Sequence, residues 1–381
     1  MVNNPAAAGG DAPRIAILTS GGDAPGMNAA IRAATLIALA RGCEVLGVQH
    51  GYRGLIDGEF RPLRPADVAG IIREGGTILG SVRCLDFHER AVRDAARARL
   101  AEAGVDGLLV IGGNGSLAGA CALCDPEEAG QSPVRVVGIP ASIDNDIGLT
   151  GLAIGVDTAM NTIVDACDKI SDTATAHDRV FIVEVMGRDC GYLAMTSAIA
   201  SGADAVLFPE AERAEDEVVA SVVRAIDRIR ARVGRTRRAI VVKAEGVGIG
   251  ADRLKARIDQ HLSAILGPSA TSRPPIETRV TVLGHLVRGG RPSAFDRLLA
   301  SRLAHVAVRA LLAGETRRMA AWMLPFEPPA DVATRSGDDP YCWLVSLPAV
   351  LAETENLLRR TSPLVRWRAR VLGELEEVLA S

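Results

Sequence analysis

From Arg14 onward the chain repeats one pattern: a short apolar run, a glycine-rich or polar loop, then a segment with helical periodicity. Blocks in that order predict an α/β fold with a largely parallel sheet, because parallel strands need crossovers and are buried on both faces. "RIAILT" is followed by "SGGDAPG" and by the helix-period segment "MNAAIRAATLIALARG", which closes on Gly42 as a C-terminal stop. "GLLVIGG" (107–113) leads into "NGS" and the helical "LAGACALC", with Ser116 expected as the N-cap. "VRVVGIP" (134–140) leads into "ASIDND", ahead of a helix near 156–171. Further strands are expected at 179–185, 204–209, 238–246 and 279–285, and a long helix over "SAFDRLLASRLAHVAVRALLAG". The Pro-rich stretch 324–340 reads as a loop or linker, and the tail beyond it as helical.

At 381 residues the chain exceeds the usual single core, so two domains are expected. Hydrophobic residues at 48% and charged residues at 23% fit a globular enzyme, and no apolar run reaches the length of a membrane span. A net charge of -3 gives nucleic acid or an anionic membrane nothing to bind. The opening "MVNNPAAAGGDAP" has neither a basic start nor a long apolar stretch, so residues 1–13 read as a flexible tail and the location as cytoplasmic. Seven scattered cysteines suit a reducing compartment, and the lone pair Cys121 and Cys124 reads as two packed thiols on a helix. Of the 43 cationic residues only Lys169, Lys243 and Lys255 are lysines, leaving 40 arginines. Any bound phosphate must therefore be held by arginine, by backbone amides or through a metal.

Three loops carry the candidate chemistry. In "SGGDAPG" the glycines let amides point at a ligand, and the helix start behind them favours an anion. It is neither a Walker A loop nor GxGxxG. "IGGNGS" (111–116) offers the same geometry again, and two such loops point to a polyphosphate. "ASIDNDIG" places Asp144 and Asp146 two apart, on one side if the segment is extended. Two carboxylates beside a phosphate call for a divalent cation or for one of them to act as a base. "VEVMGRDCG" and "VLGHLVRGG" each end a strand and present Arg188 and Arg288, whose planar forks suit a phosphate that stays bound.

Taken together, "LTSGGDAPGMNAAIR", "GGTILGSVR", "VIGGNGS", "IPASIDNDI", "VEVMGRDCGYLA" and "TVLGHLVRGG" resemble the phosphofructokinase family in order and approximate spacing, over roughly residues 14–315. The resemblance implies two Rossmann-like parallel-sheet domains with the active site in the cleft between them: residues 14–155 plus about 288–340 for nucleotide, and 156–287 plus about 341–381 for sugar phosphate. It implies ATP-dependent phosphorylation of fructose 6-phosphate at the 1-hydroxyl, as in glycolysis, with Mg²⁺ as cofactor. The nucleotide's contacts would be Gly22, Tyr52, Arg83, Cys84, Asn114, Gly115 and Ser116, and the metal's Asn114 and Asp146. Asp144 matches the catalytic base, Ser142 a hydroxyl near the transferred group, and Arg188 a stabiliser of transition-state charge. Around the sugar phosphate the resemblance adds Asp146, Arg179, Met186, Gly187, Glu245, Arg279, His285 and Arg288 to Ser142, Asp144 and Arg188. In the family, residues at the positions of Arg179 and Arg279 come from a neighbouring subunit, so a homo-oligomer, a tetramer or dimer, is implied.

Two positions modify that picture. The family's usual loop reads GGDGS, whereas Asn114 stands here at the aspartate, which predicts weaker metal binding and slower turnover. Pyrophosphate-using relatives tend to carry a bulky acid where Gly115 stands and a lysine where Ala141 stands; small residues at both favour ATP. The alternatives are a kinase using pyrophosphate or another sugar phosphate such as sedoheptulose 7-phosphate, and a catalytically weak sensor of sugar phosphate or nucleotide.

Overall fold

The computed structural model describes residues 12–129, 134–233, 238–266, 277–323, 333–335, 339–368 and 370–371. Residues 1–11 of the expected tail 1–13 and most of the Pro-rich stretch lie outside them. In chain order the elements are β1 (Arg14–Ser20), α1 (Met27–Ala40), β2 (Glu44–Val48), α2 (Gly51–Asp57), β3 (Phe60–Pro62), α3 (Arg90–Glu102), β4 (Gly107–Gly112), α4 (Asn114–Leu123), α5 (Pro126–Ala129) and β5 (Arg135–Pro140). There follow α6 (Val156–His177), β6 (Val180–Val185), α7 (Tyr192–Ser201), β7 (Ala205–Leu207), α8 (Glu215–Val233), β8 (Ala239–Ala244), α9 (Ala251–Leu266) and β9 (Thr278–Val282). The chain ends with α10 (Ala294–Leu312), β10 (Arg318–Trp322), β11 (Ala333–Arg335), β12 (Cys342–Ser346) and α11 (Leu347–Leu358).

Two compact units result: Met1–Ala141, Leu149–Gly151 and Arg297–Leu351 form the first, and Ser142–Gly148, Leu152–Asp296 and Ala352–Ser381 the second. The first is built on an eight-stranded sheet in the order β11-β12-β10-β5-β4-β1-β2-β3. Its centre is parallel, whereas β3, β12 and β11 pair antiparallel at the two margins. The second holds a four-stranded, wholly parallel sheet in the order β7-β8-β6-β9. Helices cover both faces of the central strands: β4 and β8 are buried at every position, β4 as an unbroken apolar run and β8 with the single charged residue Lys243.

The units divide elsewhere than at the expected boundaries. Residues 342–346, expected with the second domain, are hydrogen-bonded as β12 into the first sheet beside β10. The loop Ser142–Gly148, expected with the first, is held within the second unit. The Ser142 amide donates to Ile154 O at 3.1 Å and the Gly148 amide to Thr354 Oγ1 at 2.8 Å. The expected tail helix is interrupted: α11 stops at Leu358, Arg360 takes a left-handed φ of 60°, and helix resumes over 363–368 behind Ser362, whose hydroxyl accepts the Leu364 amide. Ser116 is not an N-cap, because α4 begins at Asn114 with Gly113 in the cap position. Cys121 and Cys124 are both buried, and burial pushes the Cys124 thiol up to about 11, as packed thiols should behave. None of the described helices is long and apolar enough to cross a membrane.

Candidate active site

In the first unit two loops lie against each other at the carboxyl ends of β1 and β4, where ligands of parallel sheets bind. Gly21 has a left-handed φ of 87°, and a Cβ there would approach Ser116 Oγ to 3.1 Å. The absence of a side chain is what lets the β1 loop lie against the start of α4. Ser81 Oγ donates to Gly21 O at 2.5 Å, tying the "GGTILGSVR" segment to the same loop. Gly22 and Arg83 are exposed, and Cys84 is half-buried. Gly115 is exposed with nothing within 4 Å of where a Cβ would stand, whereas the Asn114 amide oxygen is buried.

Tyr52, expected among the nucleotide's contacts, is packed into the first unit. It is 3% exposed, stacks on Phe87 with ring centroids 4.1 Å apart, and donates its hydroxyl to Ser116 O at 2.6 Å. That hydroxyl ties it to the first turn of α4, and burial raises its phenol well above the ordinary value.

In the second unit the carboxylate loop is pinned at both ends. Asn145 takes a left-handed φ of 52°, and its side-chain oxygen accepts the Ala153 amide at 3.1 Å. The segment is therefore a turn, and the two carboxylates are brought near each other by the turn rather than by strand alternation. Ser142 Oγ lies 3.3 Å from Asp146 Oδ1, to which it donates, and accepts the Asp144 amide at 3.3 Å. Asp144 Oδ2 is 4.0 Å from Arg288 Nη2, while its buried Oδ1 has no hydrogen-bond partner among the described residues. Burial raises the Asp144 carboxyl, Arg288 opposes this, and Glu245 and Asp189 reinforce it. Asp146 rises to about 6, through burial first and the Asp144 charge second.

Around that turn stand the ends of β6, β8 and β9. The Glu245 amide donates to Val185 O at 2.9 Å and the Gly246 amide to Gly187 O at 3.2 Å. A Cβ at Gly246 would sit 1.8 Å from Arg188 O, so only glycine permits this crossing. Met186 and Gly187 are buried, and Arg188, Glu245 and His285 are exposed. His285 and Arg288 lie on one 3₁₀ turn, Gly284–Arg288. Arg179 and Arg279 stand apart from this group, both leaning on Glu277, at 3.1 and 2.6 Å. Sequence reasoning missed Glu277, and also Glu210, whose carboxylate accepts the Gly191 amide on both oxygens at 2.9 Å and so holds the loop that carries Arg188. Neither lies in a motif of its own.

With this geometry in view, a family model for phosphofructokinase matches residues 14–311. The chain belongs to the phosphofructokinase family. It is 46% identical over 308 residues to an ATP-dependent 6-phosphofructokinase of Thermotoga neapolitana, covering 81% of this chain and 89% of that one. It is 48% identical over 307 residues to one of Clostridium botulinum, covering 80% and 88%. Among solved structures, Pichia pastoris phosphofructokinase in the T-state superposes with a TM-score of 0.83 at 32% identity, over 97% of this chain and 40% of the yeast chain. The Saccharomyces cerevisiae enzyme superposes with a TM-score of 0.78 at 31% identity, over 94% and 47%. This phosphofructokinase thus spans less than half of the yeast chains and nearly nine-tenths of the bacterial ones.

Proposed function

We propose that the chain transfers the terminal phosphoryl group of ATP to the 1-hydroxyl of fructose 6-phosphate, giving fructose 1,6-bisphosphate and ADP. The observation that carries this reading is the 46–48% identity to bacterial ATP-dependent 6-phosphofructokinases, sustained over four-fifths of the chain. Asp144 takes the proton of the 1-hydroxyl as the oxygen attacks phosphorus and the bond to the ADP oxygen breaks. Its raised pKa suits a base, since basicity toward an alcohol grows with pKa while the Arg288 charge keeps the ionised form accessible. Ser142 fixes the carboxylate turn, and Arg188 meets the negative charge that spreads over the transferred group.

Mg²⁺ fits the residues present. Among the described residues no cluster of three or more ligating side chains forms a ready cage. A magnesium site completed by phosphate oxygens and water needs only one or two protein oxygens. Asp146, raised to about 6 beside a second carboxylate, is a group whose ionised form a cation would favour, and Asn114 offers a neutral oxygen. The metal would neutralise phosphate charge. The first unit takes the nucleotide and the second the sugar phosphate. Arg179 and Arg279 serve a neighbouring copy in a cytoplasmic homo-oligomer. Small residues at Gly115 and Ala141 support ATP over pyrophosphate.

A coupled assay tests the reading with fructose 6-phosphate, ATP and Mg²⁺, run beside pyrophosphate and sedoheptulose 7-phosphate. Fastest turnover is expected with the first pair. A faster rate with pyrophosphate or the heptulose phosphate would refute the donor or acceptor, and binding without turnover would refute the reaction.

A further inference from the structure

We propose that the partly buried ion pair between Lys243 and Glu184 is a positioning device that sets the acceptor-sugar residues standing directly beyond it at the ends of β6, β8 and β9. The inference rests on the reading of fructose 6-phosphate as acceptor.

Lys243 is 1% exposed and is one of only three lysines in a chain with 40 arginines. Its Nζ donates to Glu184 Oε2 at 2.8 Å and to Ala244 O at 3.2 Å. A compact ammonium fits that one-carboxylate, one-carbonyl niche; a guanidinium fork, with five donors to satisfy, does not. Burying an ammonium is costly, and well-packed apolar residues in place of such a pair are commonly as stable or more so. Stability alone therefore does not account for it.

The sheet register supplies another account. Glu184 and Lys243 are direct partners in the parallel β6–β8 ladder. Two residues further along, just past the strand ends at Val185 and Ala244, come Met186 and Glu245. The Glu184 carbonyl meanwhile accepts the Leu283 amide at 2.9 Å, at the entrance to the turn that carries His285 and Arg288. Glu184 is thus where three strands are tied, side chain to β8 and backbone to β9, immediately before each delivers its sugar-facing residues. Loss of the pair lets β8 and β6 shift against each other by a fraction of an ångström, and a misplacement of that order lowers binding and rate without removing any contact group.

The test is a double-mutant cycle read by thermal unfolding and steady-state kinetics. Glu184→Leu leaves a buried ammonium unpaired and Lys243→Met a half-buried carboxylate, so the first should lower Tm by roughly 10 °C and the second by less, and each should raise KM for fructose 6-phosphate on the order of tenfold. The double variant Lys243→Met/Glu184→Leu should recover Tm while KM for fructose 6-phosphate stays raised and KM for ATP does not change. A role in stability alone predicts that KM recovers together with Tm, and that result overturns the proposal. Glu184→Gln keeps the shape and an acceptor for Lys243, so it remains readable if the other variants do not fold. Its KM for fructose 6-phosphate should rise several-fold with kcat little changed, and a wild-type KM there also overturns the proposal. If the unsubstituted enzyme does not turn over fructose 6-phosphate at all, the acceptor reading fails and takes this inference with it.

Discussion

Replacing Asp146 with asparagine should make the metal-free protein more stable while impairing it as a kinase. In the folded chain Asp146 titrates at about 6, against 3.8 for the unperturbed group, because burial and the neighbouring Asp144 charge penalise its ionised form. Between those values the folded state holds a proton that the unfolded chain has released, so stability falls as pH rises through the window. At 1.36 kcal/mol per pKa unit the full penalty above pH 6 is about 3 kcal/mol. Asparagine has nearly the same shape, keeps an oxygen for the Ser142 hydroxyl, and never ionises. At pH 8 without metal the variant should therefore gain up to about 3 kcal/mol over wild type, a Tm rise of roughly 6–10 °C in a domain of this size. Near pH 3.5 the two proteins should converge, since both are then uncharged at this position. Scanning calorimetry in chelator across pH 3.5–8 measures the difference directly. Mg²⁺ should then narrow the gap by stabilising wild type, by RT ln(1 + [L]/Kd), more than the variant. A Tm difference that stays flat between pH 4 and pH 8, or a variant less stable throughout, would refute the reasoning.

Three further outcomes follow from the same geometry. Asp144→Ala should lower kcat by about 10²–10⁴-fold with KM for fructose 6-phosphate changed only a few-fold, measured by coupled assay. Asn114→Asp should raise kcat and lower the Mg²⁺ concentration needed for half-maximal rate, since a charged oxygen replaces a neutral one; unchanged values would show that the start of α4 does not meet the metal. Tyr52→Phe should cost about 1 kcal/mol in urea unfolding, because the Ser116 carbonyl loses its donor, and should leave KM for ATP within twofold. A large rise in KM for ATP with no loss of stability would restore Tyr52 to the pocket lining.

The parts of this protein that could be read in advance are those whose physics is local. An apolar run followed by glycines and a helical period is a strand, a turn and a helix wherever it stands, and β1, β4 and β5 with their loops follow from that alone. Reading failed where a local rule met a tertiary one. Alternation put Asp144 and Asp146 on one side of an extended segment, yet Asn145 is left-handed because its side chain answers the Ala153 amide, and the carboxylates converge through a turn. The family resemblance set Tyr52 among the nucleotide's contacts but gave no sign that the Ser116 carbonyl, 64 residues away, takes its hydroxyl. Glu210, Glu277 and Lys243 left no trace in any motif, and Glu184, although it stands within "VEVMGRDCGYLA", gave no sign there of its partner, because each acts across elements. Lys243 and Glu184 are 59 residues apart, and only the register of two parallel strands makes them neighbours. Groups that touch a ligand recur as motifs because the ligand's chemistry dictates residue type at fixed places. Groups that hold those motifs in position answer only to the sheet, and a charged pair, an amide clamp or an apolar contact can each serve. The supporting residues of such a site therefore have to be found from strand register and burial, and that is where variation among relatives with the same chemistry should concentrate.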